Sequence, residues 1–150
     1  MITNFEFSML NTFMCKDFLS AESYSKPLCK NVAMKENIVK EKSFQFSLSI
    51  IDLYSRLVTE KEFIISKQLL RSGTSIGANI EESTSGESKK DFIHKMSIAS
   101  KEARETKYWL RLLHASELTS IDVKDELAEV ENLVRLLTSI VKTATKNIKN

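Results

Sequence analysis

The sequence predicts an all-α protein, an antiparallel up-down-up-down four-helix bundle, and three observations predict it. One Pro and three Gly occur in 150 residues, far fewer than a fold with many tight turns requires. Four segments of more than 20 residues carry apolar or small side chains at alternating spacings of three and four, the 3.5-residue repeat of helices packed lengthwise. Short breaks join the segments, which favours antiparallel neighbours. A hydrophobic content of 42% and a charged content of 28% exclude wholesale disorder. No apolar run approaches the roughly 20 residues of a membrane helix.

Residues 1–33 differ from the rest and are read as an N-terminal extension to a bundle domain at 34–150. They hold both cysteines, Cys15 and Cys29, the single Pro27, and three lysines balanced by three acids. Ile2, Phe5, Met9 and Phe13 fall at helical spacing. Three readings stand: a loosely docked or unstructured tail, a true start at Met34, or a partner-binding helix. Asn4 and Glu6 stand where a secretory signal has its basic region. The absence of Cys after residue 29 fits a reducing cytoplasm.

The helices are expected near 36–58, 62–84, 89–116 and 122–147. The first carries a broad apolar face, with Phe44, Leu48, Ile51 and Val58 beside Ile50, Leu53, Tyr54 and Leu57. The second runs through Phe63, Ser66, Leu70, Gly73, Gly77, Ile80 and Thr84. The third runs through Phe92, Met96, Ala99, Ala103, Thr106, Leu110 and Leu113, and the fourth through Leu127, Val130, Val134, Leu137, Val141, Ala144 and Ile148. Thr59-Glu60-Lys61 separates the first pair. Gly86 stands where a left-handed residue ends a helix. Ser88-Lys-Lys-Asp91 is a capping box, and Thr119-Ser-Ile-Asp122 can act in the same way for the fourth helix. Gly73 and Gly77 each cost about 1 kcal/mol against Ala within a helix. On the seam they let a neighbouring helix approach closely. Gly73-Thr-Ser-Ile-Gly77 lacks the Gly-Lys-Ser/Thr ending of a phosphate loop.

Catalytic chemistry is not legible. Asp91 and His94 are three apart, but a di-iron bundle needs two such pairs and two more Glu, and Phe92 and Met96 on the seam turn His94 outward. Paired carboxylates such as Glu81-Glu82 read as solvated faces. No metal, cofactor or enzymatic activity is expected. The outer row of the third helix is more informative. Lys90, Lys101, Arg104 and Arg111 share it with Tyr108 and no acid, and Arg135, Lys142, Lys146 and Lys149 point outward from the fourth helix. With Lys89 these are the candidate nucleic-acid contacts, since basic rows suit a phosphate backbone; a solvated face is the alternative. Ile98, Tyr108, Trp109 and Leu112 lie off the core seam and are the candidate oligomer interface, unless a broad core stripe absorbs Trp109 or Leu112.

Two stretches carry a family resemblance: Ser66-Lys-Gln-Leu-Leu-Arg-Ser-Gly-Thr-Ser-Ile-Gly-Ala-Asn-Ile-Glu-Glu-Ser83, and Ala103-Arg-Glu-Thr-Lys-Tyr-Trp-Leu-Arg-Leu-Leu113, with Ser88-Lys-Lys-Asp-Phe92 between them. From about Met34 to Lys149 the chain resembles the bacterial four-helix bundle family encoded in intervening sequences of large-subunit ribosomal RNA genes. That resemblance implies a small cytoplasmic bundle assembling into homopentamers. It also implies kinship with the accessory subunit of diversity-generating retroelements, which associates with a reverse transcriptase and with nucleic acid. It carries no catalytic residues over, and residues 1–33 have no counterpart in the family pattern. Two functions follow as expectations. One is an oligomer that binds RNA or DNA phosphates weakly and without base specificity. The other is a structural adaptor that presents a homo-oligomeric surface to a protein partner.

Overall fold

The computed structural model describes the backbone of residues 26–86 and 88–149 and the side chains of 38–86 and 88–147. Four helices account for most of it: α1 (Lys26–Thr59), α2 (Ile65–Thr84), α3 (Lys89–Ala115) and α4 (Lys124–Lys149). No strand occurs among the described residues. The readings of the N-terminal extension fall on residues outside the described ones, except that α1 begins at Lys26, ten residues ahead of its expected start. Pro27 does not forbid this. In the first turn of a helix a missing N–H has no partner to lose, and the fixed φ of Pro is already helical.

Side-chain pairs fix the direction of every neighbour. Lys40 meets Glu81 at 2.8 Å, while ten residues later along α1, Ile50 faces Gly73. Thr106 of α3 donates to Ser72 of α2 at 2.9 Å, and Lys95 meets Glu82. Arg104 reaches Thr138 at 3.1 Å and Lys107 reaches Glu131 at 2.9 Å, joining α3 to α4. Ser49 reaches Glu129 and Arg56 reaches Glu126, closing α4 onto α1. In each pair one number rises as the other falls, so all four contacts are antiparallel and α1 and α3 lie on a diagonal.

The core is built from Phe46, Ile50, Leu53 and Leu57 of α1, Leu69, Ile76 and Ile80 of α2, Met96, Ala99, Ala103, Leu110 and Leu113 of α3, and Val130, Leu133, Leu137 and Ile140 of α4. The α3 seam is the expected one, with Phe92 half-buried against it. The α2 seam is the expected one in part: Ser66, Gly73 and Ile80 are buried, but Leu69, Ser72, Ile76 and Ser83 complete it and Phe63 is exposed. The broad face of α1 divides. Ile50, Leu53 and Leu57 turn inward, and Phe44, Leu48 and Ile51 turn to solvent.

Gly73 explains the division. A Cβ built there would lie 2.9 Å from Ile50 Cγ2, and one at Gly77 would lie 3.1 Å from Ser47 Oγ. The α1 face with Ser43, Ser47 and Ile50 therefore packs almost backbone to backbone on α2. The buried hydroxyls at this seam bond within their own helices, Ser43 to the Lys40 carbonyl at 2.9 Å and Ser72 to that of Gln68 at 2.9 Å. No buried side-chain N or O among the described residues lacks a partner.

The end at residues 60–64 is tied by charge. Lys61 has φ 66°, the left-handed conformation that closes α1, with the Glu62 N–H on the Leu57 carbonyl and the Lys61 N–H on that of Val58. Gly86, by contrast, is not left-handed; a Cβ there would meet the movable Asp91 carboxylate and come to 3.3 Å from the Ser83 carbonyl. The Glu62 carboxylate accepts from the N–H groups of Ile64, Ile65 and Ser66 at 2.9, 2.8 and 2.6 Å, so it caps α2 and starts that helix at Ile65. Ser88 caps α3 as expected, accepting from the Asp91 N–H at 3.2 Å. For α4 the cap is Asp122, which accepts from the Lys124 N–H at 3.1 Å. Thr119 instead donates to Glu60, which also accepts from the Ser120 hydroxyl at 2.8 Å and N–H at 3.1 Å.

Two outcomes follow. Gly73→Ala gains helix propensity but drives a methyl into the fully buried Ile50, so it destabilises by about 1–3 kcal/mol. Gly77→Ala meets only a hydroxyl that can rotate, and is within about 1 kcal/mol of neutral. Urea denaturation of both variants measures the difference. The second outcome concerns acid. Hydrogen bonds from Thr119 and Ser120 hold Glu60 below the ordinary value of 4.5. Burial pushes Glu62 up, but the N–H bonds from Ile65, Ser66 and Ile64 outweigh it and leave it below 4.5 as well. A carboxyl depressed on folding stabilises fully above its unfolded pKa and loses that contribution as pH falls through its folded one. The thermal midpoint should therefore drop as pH falls below about 4.5. Glu62→Ala should cost about 1–2 kcal/mol at pH 7, as removal of a helix cap does, and should shrink the acid drop.

Candidate nucleic-acid interface

The antiparallel order brings the stretch of α1 around Lys40, the end of α2, the start of α3 and the end of α4 to one rim. Lys89 and Lys90 stand exposed in the first turn of α3, and Lys142 and Lys146 stand exposed one turn apart near the end of α4. The Lys149 side chain lies outside the described residues. Two of the acids of this rim are matched. Glu81 is held by Lys40 at 2.8 Å, and Glu82 by Lys95, whose own pKa is raised by the hydrogen bond and charge of Glu82. An open cleft between α2 and α3 is lined by Glu81, Glu82 and Asp91, so the rim has an acidic pocket beside its lysines.

The long basic rows divide on inspection. Lys101 and Arg111 are exposed on the outer face of α3. Arg104 folds back, donating to the Ser100 carbonyl at 2.9 Å and to Thr138 at 3.1 Å. Arg135 donates to Asn132 at 2.7 Å and lies 4.0 Å from Glu131. Glu131 is held below 4.5, first by its hydrogen bond from Lys107. Arg104 and Arg135 are therefore partly spent within and between α3 and α4. Lys101 and Arg111 stand exposed on α3, as do Lys90, Lys142 and Lys146 at the rim.

The apolar candidates also divide. Tyr108 and Leu112 are 52% and 36% exposed. Ile98 is half-buried. Trp109 packs against the core, donates from Nε1 to Glu105 at 3.3 Å, and meets the Tyr108 ring edge-on with centroids 5.2 Å apart. A broad core stripe thus absorbs part of Trp109, and Tyr108 is the aromatic left on the surface. The sequence reading missed an equal stripe on α1, where Phe44, Leu48 and Ile51 are 57%, 46% and 48% exposed. Their spacing of four and three was the available signal, and it was assigned to the core.

Among the described residues no group of three or more His, Cys, Asp and Glu could hold a metal, and His94 is exposed on the outer face of α3. No described helix is long and apolar enough to cross a membrane.

The model of the 23S rRNA-intervening sequence proteins matches residues 35–139. The chain belongs to that family. Among solved structures, the intervening-sequence bundle is similar to a protein of unknown function from the S23 ribosomal protein family of Bacteroides thetaiotaomicron. The two share 47% identity and superpose with a TM-score of 0.67, covering 72% of this chain and 98% of the other. No curated protein matches the chain. The matched region contains the Gly73–Ile50 contact, both exposed apolar stripes and the two rim lysines of α3, Lys89 and Lys90. Lys142 and Lys146 lie just beyond it.

Proposed function

We propose that this intervening-sequence protein is a non-enzymatic, cytoplasmic homo-oligomer that binds RNA or DNA phosphates through its lysine rim and does not read bases. The carrying observation is the convergence of Lys89, Lys90, Lys142 and Lys146 on one end, where Glu81 and Glu82 are already paired with other lysines. One subunit holds too little charge for a polyanion. In a cyclic assembly every subunit points the same way, and the rim charges add. A pentamer, which the family resemblance implies, gives twenty such lysines. Nothing on the rim resembles a groove-reading helix or a base-stacking platform, so affinity rests on counterion release alone.

The adaptor reading draws on the opposite end. Phe63, Ile64 and Leu118 stand exposed on the α1–α2 and α3–α4 connections, which Glu60 ties together. Apolar loop tips beside each other suit a protein partner better than a phosphate.

A salt titration decides between them. Wild type should bind RNA and DNA of any sequence at low salt, with affinity falling steeply as salt rises. Replacing Lys89, Lys90, Lys142 and Lys146 by Gln should weaken binding at least about tenfold and flatten the salt slope by several units. Failure of the wild type to bind either polymer at low salt, or a quadruple variant that binds as well as wild type, hands the function to the adaptor reading.

A further inference from the structure

The side of the bundle where α3 meets α4 carries cations well away from the rim. Lys101, Arg104, Tyr108 and Arg111 follow one another along α3 at spacings of three, four and three, which sets them in one row on the helix surface. Arg104 reaches across to Thr138 at 3.1 Å, so this row borders α4. The two helices are antiparallel. Lys142, one turn beyond Thr138, therefore stands opposite Ser100 and Lys101, and Arg135 stands opposite the turn between Arg104 and Lys107. A second row of cations thus runs beside the first, about 10 Å away. It leads to the rim, where Lys146 follows Lys142 by one turn.

Carboxylates do not cancel these rows. Glu131 is held by Lys107 at 2.9 Å and lies 4.0 Å from Arg135. Glu105 accepts from Trp109 Nε1 at 3.3 Å. Arg104 donates to the neutral oxygens of Ser100 and Thr138, so its guanidinium is oriented and keeps its charge. Lys101, Arg111 and Lys142 stand exposed.

Tyr108 is the member of the row that charge does not explain. Its ring is 52% exposed, one turn from Arg104 on one side and from Arg111 on the other. Trp109 braces it edge-on, with centroids 5.2 Å apart. The ring is therefore a planar apolar face held in one orientation among cations. A single-stranded polynucleotide has the matching parts: an unstacked base for the ring and a phosphate on either side for the guanidinium groups. A duplex does not, since its base faces are stacked inside and it offers only phosphates and groove edges. An acidic peptide supplies the charge without a planar ring at every unit.

We infer that the α3–α4 side of the bundle is a lane for single-stranded RNA or DNA. Tyr108 stacks on one base, Arg104 and Arg111 meet the flanking phosphates, and Lys101, Arg135 and Lys142 carry the strand on to the lysine rim. The inference rests on the phosphate reading above and goes beyond it. The rim takes a polyanion of either kind. Tyr108 makes the protein prefer an unpaired strand, yet leaves it indifferent to sequence, because every base has a π face.

Trp109 is the only tryptophan of the chain and packs on Tyr108, so its fluorescence reports on the stacking position. The test uses the full chain at low salt with a short oligothymidylate, a duplex of the same length and a polyglutamate of matched charge. Oligothymidylate should quench the Trp109 emission, whereas the duplex, held at the rim, should bind without quenching it. Tyr108→Ala should weaken the single strand about tenfold and the duplex by less than about twofold, and Tyr108→Phe, which keeps the ring, should bind as wild type does. Lys101→Gln with Arg111→Gln should reduce the salt slope for the single strand by about one to two units. Circular dichroism and light-scattering mass should be unchanged in every variant. Equal losses on strand and duplex, a polyglutamate that binds as the strand does, or a Tyr108→Ala variant of altered mass overturns the inference; the last gives the row to a contact between copies of this chain. Binding of both polymers without quenching leaves the rim reading standing and overturns this one. Quenching by oligothymidylate that survives replacement of Lys89, Lys90, Lys142 and Lys146 by Gln does the reverse. A wild type that binds neither polymer overturns both.

Discussion

The approach of α1 to α2 at Gly73 is the constraint on which the rest depends. With no Cβ there, Ile50 rests against the α2 backbone, and Ser47 does the same at Gly77. Once Ile50 is committed to that contact, the rotation of α1 about its axis is settled. The positions three, four and seven residues away, Leu53, Phe46 and Leu57, then face the core, and Phe44, Leu48 and Ile51 must face out. A helix with two apolar faces can bury only one within a four-helix bundle. The glycines decide which, and so determine what the subunit offers to its surroundings.

The fold was legible because helical periodicity survives substitution among apolar residues, and α3 shows it best. There the small residues Ala99, Ala103 and Thr106 fall between Met96 and the pair Leu110 and Leu113 at unbroken spacings of three and four. The α2 seam was misread because Phe63 and Leu70 are as apolar as Leu69 and Ile76, and Ser72 and Ser83 carry no hydropathic signal although both are buried. Their hydroxyls bond to carbonyls of their own helix, at 2.9 Å for Ser72 and 2.7 Å for Ser83, which removes the cost that keeps polar groups out of cores. The caps divided in the same way. Ser88 has a side chain that advertises its role, whereas Glu62 caps α2 from outside the usual position and Lys61 takes a left-handed φ with a side chain that ordinarily avoids it.

For the candidate site, charge and exposure along a helix were legible, but pairing was not. Arg104 and Arg135 belong to the basic rows by position, yet the partners that turn them aside, Thr138 and Glu131, are set by the α3–α4 contact. Likewise Glu81 and Glu82 look like a strong acidic block until Lys40 and Lys95 are found beside them, one from each neighbouring helix. Net charge per row is a property of the chain. Net field at a surface is a property of the fold.

The two ends of the bundle differ for a reason that bears on assembly. At the 60–64 end, Glu60, Glu62 and Asp122 spend their oxygens on loop N–H and hydroxyl groups, so charge there holds loops together. At the other end Lys40 and Lys95 pair with Glu81 and Glu82, and Lys90, Lys142 and Lys146 stand exposed beside them. Helix dipoles do not bias the choice, because two N-termini and two C-termini meet on each end of an antiparallel bundle and largely cancel. What remains is side-chain charge, and on one subunit it is small. Repetition around a ring is then the physical route by which a chain of net charge +2 raises a positive rim without becoming a strongly basic protein. That route requires subunits that all point the same way, as in any cyclic assembly.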